Sequence, residues 1–434
     1  YLLFVSYVTL ICSLFFWWHR LSTYRYYHKY KEYYDSFLKT SYLSFFLIIF
    51  VIIILSLVLY NFQFLHQYNI ITLLPFCVLA AIFKSNFDLN QSLFNISRRD
   101  YLFCLNIVLR PVIFVTLCLI FHNYFKIYDF ALIYSLILSF LITAIASNFL
   151  IFRKNKRGKY EKKIISKFFS YGFPLTGLFI FDYILTFSDR LLIGHYLGSD
   201  MVGMYGANYD LIKMMVLFGM IIQGYIIYPE LNKTFEKNDL NEVKKLMTFN
   251  FNIFITVFLP LCVFILYFNN SISDIFIGKK FTIMSSELIP LFSMMFLFWG
   301  LKIHHFDYIF QLSEKTSLSM YILFFGSFIN LLLNIFLIPR VELLGAAYAT
   351  FASYIIILLI SLLISRKLLK VSTDIKILIK TGLFLVIGLI ISKVFSRFGF
   401  NDFISMAIFI SCYGVLAFKY NYKDLKHHFI KLYF

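Results

Sequence analysis

Residues 45–59 read FFLIIFVIIILSLVL without a single charge, and residues 354–364 read YIIILLISLLI. Neither run alternates, as the strands of a membrane barrel would. Both suit a helix in hydrocarbon, where every backbone N–H and C=O must find its partner inside the same helix. Composition closes off the other solutions. Hydrophobic residues make up 61% of the 434 residues and charged residues only 14%, against roughly 25% charged in soluble domains. So little charge cannot coat a surface that faces water. The sequence predicts an all-α polytopic membrane protein and excludes a soluble globular, a disordered or a fibrous chain.

About thirteen apolar runs have the length of a transmembrane helix. They lie near 1–18, 42–60, 70–89, 101–121, 129–152, 168–195, 203–227, 248–268, 286–303, 318–338, 345–365, 377–395 and 402–418. Counting the connections alternately puts 30 Lys and Arg on one side and 6 on the other. The rich side holds 19–41, 153–167, 229–247, 366–380 and the C-terminal tail. The positive-inside rule makes that side cytoplasmic, with the C-terminus inside and Tyr1 outside. A net charge of +18 would suggest nucleic acid in a soluble protein; here topology explains it, and no nucleic-acid partner is expected. A role for the basic loops at nucleic acid or anionic lipid is the minor reading.

Cofactor chemistry is not indicated. The sequence has no HExxH, no Cys–His metal spacing and no Walker or Rossmann glycine pattern, so no metal, no cofactor and no catalytic residue is expected. His304, His305 and Asp307 read as solvated residues at a cytoplasmic helix end, with a proton relay or catalytic pair as the alternative. The six cysteines fall in apolar runs and read as small hydrophobes. The organisation reads as an N-terminal helical lobe (1–152), a basic cytoplasmic linker (153–167), a C-terminal helical lobe (168–366), and two additional transmembrane helices with a cytoplasmic tail (367–434).

The residues that invite a functional reading are charges inside the spans, which cost roughly 2.5–3.5 kcal/mol each on insertion scales. Arg110 stands mid-span. Lys84 precedes Asp88 by four residues and Asp210 precedes Lys213 by three, so each pair shares a helix face. Asp182, Thr186 and Asp189 fall at i, i+4 and i+7, with Arg190 beside them, and Asn330 and Asn334 stack one turn apart. Two readings stay open. These groups pair with each other as helix-packing glue, or they line a wet, cationic cavity for an anionic headgroup. For the second, Arg110, Lys213, Lys84 and Arg190 are the candidate ligands, since guanidinium and ammonium groups both suit phosphate.

The stretch 171–211 carries Tyr171-Gly172-x-Pro174, Asp189-Arg190, Gly194, Leu197-Gly198 and Gly203-x-Tyr205. With Asn330, Asn334, Ile338-Pro339 and the helix start Gly345-Ala346-Ala347, it resembles the polysaccharide exporter and O-antigen flippase family, of the superfamily that also holds multidrug extruders. The family usually has a glycine soon after the Ile-Pro; here Val341-Glu342-Leu343 intervenes. The resemblance implies two six-helix lobes in a V around a central cavity, followed by two additional helices, with the first family helix missing before Tyr1. It implies a protein of the bacterial inner membrane that turns undecaprenyl-diphosphate-linked oligosaccharide from the cytoplasmic to the periplasmic leaflet. A polysaccharide polymerase and chain-length machinery would be its neighbours. Asp182 and Asp189 are then candidate proton or sodium sites. Two other readings compete: a drug or metabolite antiporter of the same superfamily, and a membrane-embedded polymerase or glycosyltransferase.

Overall fold

The computed structural model describes the chain except residues 28, 29, 31, 32, 61–69, 127, 129, 154–157, 173–175, 238, 314, 370–374 and 434. Among the described residues there are helices and turns and no strand. The chain divides into two compact units, Tyr1–Phe187 and Ser188–Phe434.

The first unit holds α1 (Leu2–Phe15), α2 (Trp17–Tyr26), α3 (Tyr34–Tyr60), α4 (Ile70–Ile96), α5 (Asp100–Asn123), α6 (Ala131–Phe152), α7 (Lys162–Gly172) and most of α8 (Thr176–Tyr196). The second holds the last turns of α8, then α9 (Ser199–Glu236), α10 (Leu240–Ile253), α11 (Leu259–Tyr267), α12 (Asn269–Phe276), α13 (Ser285–Leu301), α14 (Asp307–Leu312), α15 (Thr316–Leu368), α16 (Ile375–Arg397) and α17 (Asp402–Tyr433). π-helical turns at Phe254–Phe258 and Lys302–Phe306 join α10 to α11 and α13 to α14.

Among the described residues ten helical segments are long and apolar enough to cross a membrane, and α1 with α2, bent by 49°, makes an eleventh if the pair is one span. The protein is thus an all-α polytopic membrane protein. The other two expected spans have physical explanations. The 53 residues of α15 pass through a break at Glu342, where φ is 54° and ψ is −133°, so α15 contains two helices. α8 carries Asp182, Asp189 and Arg190 within 21 residues and is polar for a span.

The sixth expected span, 168–195, starts differently. Residues Lys162–Gly172 form a separate amphipathic helix, α7, with Ile164, Phe168 and Gly172 buried at intervals of four. It lies on α2 and α3: the Ser22 hydroxyl donates to the Phe168 carbonyl at 2.9 Å. A Cβ on Gly172 would sit 2.6 Å from the Trp18 carbonyl oxygen, so only glycine permits this approach. The preceding strand of linker is fastened to α3 as well. The Lys159 N–H donates to Ser36 Oγ and the Glu161 N–H to Thr40 Oγ1, each at 3.0 Å. Pro174 and residues 154–157 lie outside the described residues. The linker segment thus packs within the first unit, and the division between units falls inside α8.

The break in α15 explains a family irregularity. The positive φ that glycine adopts without strain falls here on Glu342, which is exposed. Such a backbone costs a bulky residue of order 1–3 kcal/mol. Glu342→Gly should raise the melting temperature of the detergent-solubilised protein by about 2 °C, while Glu342→Ala leaves it unchanged. A lower melting temperature for the glycine variant would contradict the assignment.

Candidate functional site

The ionisable residues of the spans fall into separate clusters in the two units. In the first unit, α5 is the least buried span, with Asn106 its one buried residue. The Asn106 amide donates to Ser147 Oγ on α6 at 3.0 Å. Arg110 follows one turn later on the same face, half-buried, with its guanidinium 4.6 Å above the Phe140 ring. Arg110 therefore lies on the face packed against α6, while Leu105, Val108, Leu109 and Val112 of α5 are exposed.

Lys84 and Asp88 make the ion pair that their spacing predicts, at 2.8 Å, and Arg20 of α2 approaches the same carboxylate at 3.9 Å. Interleaved with this pair on α4, at Asn86 and Asn90, is a polar layer that the sequence reading did not find. Asn90 of α4 accepts from Tyr42 of α3 and donates to Asn148 of α6 at 2.8 Å and to Asn86 at 3.1 Å. These contacts join three helices, and no local periodicity announces them.

In the second unit Asp189 is fully enclosed. It accepts from the Tyr205 hydroxyl at 2.6 Å and from the Arg190 backbone N–H at 2.8 Å. The Arg190 side chain, 3% exposed, reaches Asp210 at 2.5 Å. The Asp210 side chain is 49% exposed, so the pair runs from the helix interior toward the outside. Lys213 is half-buried, its ammonium 5.7 Å from the centre of the Tyr209 ring, and Arg190 lies 5.2 Å from the same ring. Tyr205 and Tyr209 are themselves packed edge-on against Phe292. Asp182 is half-buried in the first unit, its backbone carbonyl accepting from Thr186 at 2.7 Å. The stripe of Asp182, Thr186 and Asp189 is thus divided between the two units.

One cluster overturns its sequence reading. Lys302, at the end of the expected span 286–303, is 2% exposed and pairs with Asp307 at 2.8 Å. Ser319 at the start of α15 bonds both partners, at 3.2 and 2.9 Å, and Trp299 lies 5.3 Å from the ammonium. His305, expected to be solvated, is 3% exposed and touches the Asn250 amide at 3.2 Å; the same amide donates to the His304 carbonyl at 2.8 Å. The cause is the π turn Lys302–Phe306, which carries the helix on to Leu312 instead of ending it near 303. π turns often sit where a helix must admit such a contact. Among the described residues no group of three or more His, Cys, Asp or Glu is arranged to hold a metal ion.

Comparison with known proteins bears on this architecture. Residues 19–223 match a family model described as polysaccharide biosynthesis protein. A protein of Haloferax volcanii described as a probable low-salt glycan biosynthesis flippase, Agl15, is 25% identical over 225 residues, 51% of this chain and 46% of that protein. An uncharacterized membrane protein of Methanocaldococcus jannaschii is 24% identical over 196 residues, 44% of this chain and 37% of that protein. The chain spans under half the length of each of these relatives. Among solved structures, the lipid II flippase MurJ in an inward closed conformation superposes with a TM-score of 0.70 at 19% identity, over 96% of this chain and 92% of that one. An inward-facing multidrug resistance MATE family transporter of the MOP superfamily gives 0.65 at 11% identity, over 85% and 88%. At these identities the match establishes the fold, which is shared by both.

The residues of the family motif do structural work here. Gly198 takes φ 91° at the start of α9. Asp189 and Tyr205 bond to each other, and Asn334 donates to Asn330, which donates in turn to Thr350 at 3.1 Å. A Cβ on Gly345 would lie 2.5 Å from the Leu337 carbonyl oxygen, so the two halves of α15 approach through a glycine.

The buried Lys302–Asp307 pair gives a direct test of this packing. Removing one partner leaves a buried charge uncompensated, at a cost of about 3–5 kcal/mol, whereas an apolar pair of similar volume is close to neutral. Asp307→Ala should therefore lower the melting temperature clearly, and adding Lys302→Met should restore most of the loss. If the double variant is as unstable as the single, the pair is not the isolated ionic contact described.

Proposed function

We propose that this protein is a flippase that moves an undecaprenyl-diphosphate-linked oligosaccharide, an O-antigen or capsular repeat unit, from the cytoplasmic to the periplasmic leaflet of a bacterial inner membrane. The physical problem sets the requirements. Sugar hydroxyls and a diphosphate cannot enter hydrocarbon without their hydrogen-bond partners. A protein can supply those partners on a wet path while the polyprenyl tail remains in lipid. Alternating access then changes the leaflet, and no bond is made or broken.

The observation that carries this reading is the placement of Arg110 and Lys213. Each is a half-buried cation inside a span, and each shares its face with aromatic rings. Arg110 would hold phosphate with its planar donors and Lys213 as a point charge. Lys84 and Arg190, already paired with Asp88 and Asp210, would exchange or share those partners with the headgroup. Asp189 and Asp182 are the carboxylates on which a coupling proton or sodium ion would act. The lobes 1–152 and 168–366, with the linker and the helices of 367–434, are the proposed moving parts. A polymerase and chain-length machinery would take the product. The resemblance to glycan-biosynthesis proteins supports this cargo over a drug or metabolite.

The test is replacement of the chromosomal flippase in a strain lacking its own, scored by surface polysaccharide. The unaltered chain should restore it. Arg110→Ala and Lys213→Ala should each lower export by about tenfold, the equivalent of one charge-assisted hydrogen bond, with unchanged amounts of protein in the membrane. Full export by both variants would refute the cationic path, and resistance to drugs without surface polysaccharide would favour the antiporter.

A further inference from the structure

Helix α7 presents a face that transport does not use. Ile164 and Phe168 are buried against α2 and α3, while Lys162, Lys163 and Lys167 are exposed on the other sides, and Phe169 stands 50% exposed among them. Residues 153–172 hold eight Lys and Arg against one acid, Glu161. Among the described residues no carboxylate lies within 4.0 Å of Lys162, Lys163 or Lys167. Two surface lysines of the second unit, Lys233 and Lys245, are by contrast paired, at 3.6 and 3.5 Å from Glu230 and Glu242.

The depth of α7 follows from what it rests on. Residues 17–34 contain two of the chain's three tryptophans and six tyrosines, the composition of a headgroup-level belt. α7 is tied into that belt. Trp18 meets Phe169 edge-on at 5.7 Å, Arg25 lies 4.5 Å from the Tyr171 ring, and Lys167 lies 5.8 Å from the Tyr30 ring. An amphipathic helix with an exposed phenylalanine, packed on such a belt, suits a place in the plane of the interface. There its exposed ammonium groups would meet phosphate groups, on the side to which the charge asymmetry assigns the basic loops.

We infer that α7 is an in-plane anchor whose Lys162, Lys163 and Lys167 bind the anionic headgroups of phospholipids in the cytoplasmic leaflet. Exposed Phe169, beside Trp18 of the aromatic belt, gives the helix an apolar contact at an acyl boundary that a free anion would not use.

The test uses the full chain in a non-ionic detergent, titrated with phosphatidylglycerol or phosphatidylcholine, with bound lipid counted by native mass spectrometry. Phosphatidylglycerol should bind at least about tenfold more tightly than phosphatidylcholine, because each lysine near an anionic surface contributes a several-fold preference. The variant K162Q/K163Q/K167Q should lose the preference and keep its phosphatidylcholine binding. The variant K233Q/K237Q/K245Q, which removes the same charge elsewhere, should retain it. A preserved preference in the first variant, or an equal loss in the second, would overturn the inference. So would displacement of the lipid by millimolar inorganic phosphate or by a short RNA. Should the triple variant fail to fold, the single variants K162Q, K163Q and K167Q decide the matter in the same titration. Each should lose a part of the preference, and three unchanged singles overturn the inference.

Discussion

An ionised side chain inside a membrane span must have a partner, a ring face or water, because the alternative costs several kcal/mol. That constraint orders the interior of this protein. Lys84 takes Asp88, Arg190 takes Asp210, and Lys302 takes Asp307 with Ser319 bridging the two. Arg110 and Lys213 rest against Phe140 and Tyr209. The helices around them follow: α5 turns its one polar face to α6, and the π turn after α13 keeps Lys302 inside the bundle. Ion pairs of this kind contribute little net stability, since desolvation offsets the attraction. What they give is a fixed register between helices.

The spans were legible because hydrocarbon tolerates so few sequences. Uncharged runs such as 45–59 and 354–364 admit one structure. The Lys84–Asp88 pair was legible for a similar reason, since a separation of four places both residues on one face. Asp210 shows where that rule stops. Its spacing suggested Lys213, and it is also held by Arg190, twenty residues away on another helix. Helical periodicity reports neighbours on one helix and is silent about the next one. The layer of Tyr42, Asn90 and Asn148 was missed on the same ground.

Two features were misread because the local signal was ambiguous. Phe168 and Phe169 looked like the start of a span, but they belong to α7, an amphipathic helix that begins at Lys162 and buries Ile164, Phe168 and Gly172 on one face. Lys302 and His305 looked like the polar end of a span. A π turn inserts one residue into the helix without ending it, and nothing in the apolar pattern marks that insertion. Glu342 runs the other way. The missing family glycine was visible in the sequence, and the structure puts the left-handed backbone on the glutamate that intervenes.

The central claim is that Arg110 and Lys213 meet water although they lie within spans. The most direct measurement is the reactivity of cysteines at 110, 213 and 108 in a cysteine-free background toward a water-soluble thiol reagent that does not enter lipid. The account predicts labelling of Arg110→Cys and Lys213→Cys and none of Val108→Cys, which faces outward on α5. If positions 110 and 213 are as inert as 108, no aqueous path reaches these cations and the account fails.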